Sequence, residues 1–230
     1  MEEILRIIMI TLISIPLGIC MGMGAVYVFN RMPAKWLCEY GETPSEELTD
    51  KSRKRLSDYP YKIIFAIAFI LTGIYFMSKD IAFGAAALFE MWLLLVIAIS
   101  DKKYMIIPDQ FVIFLALFAF PMSAYRFGIR DMIAGAMVGG GIFLLAGIMG
   151  RLVTRRDSLG AGDIKLMTAL GLSFGFAGTV FVTALTSVMS AFVFACGILL
   201  KKTDRHDEKP LAPFVAAASY IYLFIKISMF

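Results

Sequence analysis

Apolar residues run in long blocks along this chain, separated by short polar connectors that hold most of its Lys and Arg. The blocks cover residues 4–29, 61–77, 81–99, 106–125, 132–150, 164–200 and 211–229. Most approach the roughly 20 residues that a helix needs to cross about 30 Å of hydrocarbon. The block at 164–200 is too long for one crossing, and Gly171, Gly175 and Gly178 offer its only turn. It divides into a short sixth helix, 164–174, and a longer seventh. At the helical rise, the sixth extends only about 17 Å. The pattern predicts an all-α fold, a polytopic membrane bundle of about eight transmembrane helices. Gly18, Gly22 and Gly24 in the first block and Gly139, Gly140 and Gly141 in the fifth are small residues of the kind that bring membrane helices together.

Composition sharpens that picture. The chain is 60% hydrophobic and 17% charged with a mean hydropathy of +0.80, which excludes an ordinary soluble domain. A net charge of +4 would hint at nucleic acid in a soluble protein; here it reflects basic loops, and no nucleic-acid partner is expected. Those loops suit acidic lipid head groups. Met1-Glu2-Glu3 precedes the first block, so that block lacks the basic flank of a cleavable signal and reads as a retained helix. Cys20, Cys38 and Cys196 are far apart and form neither a disulfide framework nor a zinc spacing.

Loop charge orients the bundle. With the N-terminus outside, segments 30–62, 100–105, 151–165 and 201–210 lie inside and carry 17 of the 22 Lys and Arg residues. Asp101 and Asp163 then fall on the same, cytoplasmic, side.

Acids at a membrane edge usually have a functional reason to be there. Asp101 opens a connector after the third block, and Asp163 stands in Gly160-Ala161-Gly162-Asp163 ahead of the sixth. Two carboxyls about 3 Å apart cannot both ionise, so such a dyad shares a proton and supplies an acid and a base for hydrolysis by water. The pair titrates as a unit, and neither role belongs to one residue at this stage. Gly160 and Gly162 lack Cβ atoms, which lets backbone approach an extended substrate. Plainer roles compete. Asp163 is placed to cap the following helix. Asp101 is placed as a loop acid neutralised by Lys102 and Lys103. Pro108-Asp109 reads first as a capping turn, supporting the site through stability. Glu90, mid-span, either pairs with a polar group inside the bundle or serves function. His206 lies in a basic loop as a solvated residue. A proton-coupled transporter using Glu90, Asp101 and Asp163 is the non-enzyme alternative; it calls for acids at mid-membrane depth and an internal repeat, and no repeat is seen.

These residues resemble the bacterial type IV prepilin peptidases, membrane aspartyl proteases of the Gly-x-Gly-Asp class. Asp101 to Asp109 resembles the family's Asp-x6-Pro-Asp element, whose first Asp is catalytic. Gly160-Ala161-Gly162-Asp163-Ile164-Lys165-Leu166 resembles the element carrying the second, with Lys165 beside it. Asn30-Arg31-Met32-Pro33 resembles the first-helix exit, although Val26 replaces the usual Asn. Pro210-Leu211-Ala212-Pro213-Phe214 resembles the entry to the last helix. The resemblance implies residues 1–33 as first helix and exit, 34–60 as a short cytoplasmic loop, and 61–230 as the peptidase core. It further implies a multi-pass protein of the plasma or inner membrane. Its substrates would be type IV prepilin or pseudopilin precursors of a pilus or secretion apparatus, cut at the cytoplasmic face. Many members also methylate the new N-terminus with S-adenosylmethionine and carry two Cys-x-x-Cys pairs in the first loop. Here that loop holds only Cys38, so a zinc site is not expected and methylation stays open. The peptidase reaction itself calls for no cofactor. Presenilin-like proteases share Gly-x-Gly-Asp but pair it with Tyr-Asp, whereas Ser100 precedes Asp101.

Overall fold

The computed structural model describes residues 1–39, 41–50, 54–122, 128–154, 160–200 and 209–229. His206 and the basic residues Lys51, Arg53, Lys201, Lys202 and Arg205 lie outside the described residues. Those described are helical through most of each expected block, but the fourth, expected from 106, becomes helical only at Asp109, because residues 106–108 form the turn that follows the helix of the third block. Helix α1 is Glu2–Arg31, followed by a 3-10 turn Ala34–Leu37 and the single-turn α2, Glu46–Thr49. Then come α3 Tyr61–Lys79, α4 Ile81–Tyr104, α5 Asp109–Met122, α6 Ile129–Thr154, α7 Ala161–Leu199 and α8 Ala212–Ser228. Among the described residues α1, α3, α4, α6 and α7 are long and apolar enough to cross a membrane, while α5 and α8 are shorter apolar helices. Large apolar side chains such as Leu12, Ile64, Leu117, Leu145 and Phe192 face outward, as lipid-facing surfaces require.

The chain divides into two compact units, residues 1–96 with 223–230, and residues 97–222. In the first, α1 crosses α3 at Gly18 and Gly22. A Cβ at Gly22 would stand 2.2 Å from the Ala66 nitrogen, and one at Gly18 2.6 Å from the Ile70 nitrogen. Backbones meet there directly, which is how membrane helices associate when lipid removes the hydrophobic drive. Trp92 donates its indole N–H to the Met21 carbonyl at 2.9 Å, tying α4 to α1. Where α1 ends, Asn30 grips the polar loop in both directions. Its amide donates to the Leu56 carbonyl at 2.9 Å and its oxygen accepts the Leu56 N–H at 2.7 Å. Arg55 adds donations to the carbonyls of Met32 and, at 3.0 Å, Leu48. The polar segment is thereby bound to the helix it follows.

In the second unit α7 is broken once. Gly175 has φ 67 and ψ −175, a conformation closed to other residues. The break is a reversal: a Cβ on Gly139 of α6 would touch Met167 on the first limb (161–174) and Thr179 on the second (176–199). In one straight helix those two residues would be about 18 Å apart. Both limbs therefore lie against the glycine face of α6, where Gly135 meets Gly171 and Gly175 backbone and Gly139 meets the Met167 carbonyl. The division expected within 164–200 is present at Gly175 alone. Gly171 serves the α6 crossing, and Gly178 lies under the Tyr222 ring, 2.6 Å from where its Cβ would stand.

Candidate active site

Asp101 sits in the last turn of α4. The sequence pattern places it in a connector spanning 100–105, but α4 runs on through it to Tyr104, and the residue is only 5% exposed. The helix continues because its end is closed one turn later. Met105 takes a left-handed conformation, φ 57, and its N–H donates to the Asp101 carbonyl at 2.8 Å. The Ser100 hydroxyl donates to the Ile106 carbonyl at 2.8 Å. Lys102 and Lys103 point outward from this last turn, where cations favour the helix C-terminus. The Asp101 carboxylate points inward instead, and its Oδ2 accepts the backbone N–H of Ala212, first residue of α8, at 2.7 Å.

Asp163 lies in the first turn of α7. Gly160 is the residue that caps this helix, in extended conformation, and its carbonyl accepts the Asp163 N–H at 3.1 Å. The capping position expected for Asp163 thus belongs to Gly160, and the Asp side chain is released for other contacts. Gly162 has a packing reason to be small: a Cβ there would come within 3.1 Å of the Ile107 Cβ. The turn that closes α4 therefore rests on the start of α7. A continuous path of contacts leads from Asp101 through Ser100 and Ile107 to Gly162 and Asp163. The two carboxylates end close enough for their charges to interact.

Beside this pair, Lys165 donates to both carboxylate oxygens of Asp109 at 2.9 Å. Asp109 opens α5, where an acid suits the helix N-terminus, and buried Pro108 precedes it. With both partners about half exposed, the pair contributes under about 1 kcal/mol of stability. Both residues help line an apolar groove of about 440 Å³ between α5 and the first limb of α7, with Val112, Ile113, Ala116, Thr168 and Leu172. Glu90 belongs to the first unit and is 1% exposed.

Two partners escaped the sequence reading. One is the Ala212 N–H, which no residue type announces, although Pro210 and Pro213 bracket it. The other is Asp131, whose Oδ1 accepts the Phe176 N–H at 3.0 Å beyond the break in α7. In the polar loop, Cys38 directs its thiol at the carbonyls of Lys35 and Glu42. A tetrathiolate zinc site does not fit this donor set. Among the described residues no group of three or more His, Cys, Asp or Glu converges.

A family profile described as the type IV leader peptidase family matches residues 88–196, the stretch that holds both acids. The chain is a homologue of the type IV prepilin leader peptidases. It is 28% identical over 168 residues to the prepilin leader peptidase/N-methyltransferase of Aeromonas salmonicida, covering 71% of this chain and 57% of that protein. With its counterpart from Aeromonas hydrophila it shares 30% over 140 residues, 60% of this chain and 48% of the relative. With the one from Bacillus subtilis it shares 23% over 189 residues, 77% and 73%. The chain thus spans about half the length of the first two relatives. No solved structure matches it.

Proposed function

We propose that this chain is a membrane aspartyl endopeptidase that removes the leader from type IV prepilin or pseudopilin precursors. The observation that supports the reading is that two acids from separate helices, Asp101 and Asp163, lie close enough for their charges to interact, in a chain with several helices apolar enough to cross a membrane. One carboxylate takes a proton from water as the water oxygen attacks the scissile carbonyl carbon. The other, protonated, gives its proton to the carbonyl oxygen. Collapse of the tetrahedral intermediate breaks the C–N bond, and the amine leaves with a proton returned through the dyad. Only water is consumed. Names of the relatives support the substrate class, and the groove between α5 and α7 offers apolar walls to the precursor's hydrophobic segment.

The reading includes eight crossings with the N-terminus outside, which puts both acids at the cytoplasmic face; the two limbs of α7 are consistent with separate crossings. The test uses purified full-length chain in detergent with a pilin-like precursor of basic leader, Gly and apolar helix. Asp101→Asn and Asp163→Asn each abolish cleavage while helicity and elution volume stay unchanged. Cleavage surviving either change removes that acid from the chemistry.

A further inference from the structure

The entry to α8, Pro210-Leu211-Ala212-Pro213-Phe214, has no part in the dyad scheme, yet it touches one of the two acids. Helix α8 starts at Ala212, and the Leu211 carbonyl accepts the N–H groups of Phe214 at 3.0 Å and Val215 at 3.2 Å. The first N–H groups of any helix lack partners within it. Pro210 and Pro213 have none to offer, which leaves Ala212 as the first-turn donor without a partner inside α8. That N–H meets Asp101 Oδ2 at 2.7 Å, in a place where Ala212 is 1% exposed and water does not compete. A hydrogen bond from backbone N–H to a carboxylate is charge-assisted and directional. It commits Oδ2 of Asp101 and restrains the plane of the carboxyl, and the adjoining Leu211 N–H favours the same carboxylate.

We propose that Ala212 is a positioning residue for the peptidase, acting through its backbone N–H on Asp101. The inference rests on the dyad reading. It explains why a proline-bracketed helix start stands at this point: the two prolines hold the chain in the geometry that turns the Ala212 N–H, with that of Leu211 beside it, toward the acid. Among the described residues, charged groups on the neighbouring elements are few. Asp163 comes from α7, the Asp109–Lys165 pair lies between α5 and α7, Lys209 precedes α8, and Lys102 and Lys103 on α4 itself face outward. None of these donates the bond that Ala212 donates.

The side chain plays no part in that bond, so the test must remove the N–H. Ala212→Pro does so at the first position of a helix, where proline is tolerated. Ala212→Ser keeps the N–H and is the control. As a second deletion, an alanine-to-lactate ester introduced at 212 removes the N–H with almost no change of shape. Cleavage of the pilin-like precursor is followed by full-length protein across pH. Ala212→Ser stays within about twofold of the parent, while Ala212→Pro and the ester fall by about tenfold or more, the scale of one lost charge-assisted bond. The acid limb of their pH–rate profile moves to higher pH, because the dyad has lost a donor that favours its charged form. Parental rates and profiles in both deletions overturn the inference, and so does a lower rate with no movement of the acid limb, which marks a structural role only. If Ala212 deletions behave like the parent while Asp101→Asn is inactive, the dyad stands without this device. If Asp101→Asn is active, both fall.

Discussion

Asp131 of α6 holds the second limb of α7 by its first free N–H: its Oδ1 accepts from Phe176 at 3.0 Å, one residue beyond the left-handed Gly175. The same carboxylate occupies the space that a side chain on residue 175 would need, 2.0 Å from the ideal Cβ. A break in the middle of an apolar helix exposes N–H groups where no water is at hand, and Asp131 satisfies one from outside the helix. Asp131→Ala is expected to destabilise by about 1–2 kcal/mol, the scale of a lost helix cap, and Asp131→Asn by much less. Thermal melting in detergent orders them; equal melting for all three would show that the bond contributes nothing. Gly175→Ala should be worse than either, since it meets both the backbone conformation and the carboxylate.

The glycines of α6 are not equivalent. At Gly139 a Cβ would sit 2.2 Å from the Met167 carbonyl oxygen, and at Gly141 it would meet nothing within 4 Å among the described residues. Gly139→Ala must separate α6 from α7 and is expected to cost about 1–3 kcal/mol, as overpacking does. Gly141→Ala should be neutral or mildly stabilising, because a helix interior prefers alanine to glycine. Comparing the two single variants by melting temperature checks the packing directly. Equal effects would mean that α6 and α7 do not cross in backbone contact at Gly139.

For Asp109 and Lys165 the expected coupling is small. Both oxygens of Asp109 accept from Lys165, yet the side chains are 47% and 54% exposed, so solvent screens most of the attraction. A double-mutant cycle of Asp109→Asn and Lys165→Met should return a coupling below about 1 kcal/mol in stability. A coupling of several kcal/mol would show that the pair is buried in the membrane-bound protein.

Asp58, at the base of the polar loop, lies between Lys54 and Lys62, and these cations hold its carboxyl below the usual carboxylate range. The sign follows from linkage. A lowered folded-state value gives stabilisation that is present above the unfolded-state value and is lost as pH falls through the folded one. Loop stability should therefore fade only in acid, and Asp58→Asn should lose that dependence. Amide exchange at Leu56 and Lys62 measured from neutral to acid pH would reveal it, and a flat response in the parent would refute it.

Much of the fold was legible because lipid leaves few options: long apolar blocks become helices, and the loops between them carry the charge. The acids were legible for the same reason, since Asp101 and Asp163 stand out against apolar neighbours. What stayed hidden was set by tertiary contacts. That α4 continues through Asp101 depends on Met105 adopting a left-handed turn, which nothing in a methionine foretells. The choice of Gly175 over Gly171 or Gly178 depends on Asp131, 44 positions earlier in the sequence. Asp101 meets a backbone N–H, and backbone donors leave no mark in the alphabet of side chains.

The two-way bond between Asn30 and Leu56 has a consequence for how this architecture tolerates change. It fastens the polar segment at its root, so whatever projects from that root is insulated from the helices. Chain can be added near exposed Gly41 while the root stays closed, because the entropy of a larger excursion grows only with the logarithm of its length. A graft there, even a folded module, should leave the α1–α3 crossing undisturbed. A cut or substitution at Asn30 itself should loosen everything hung from it.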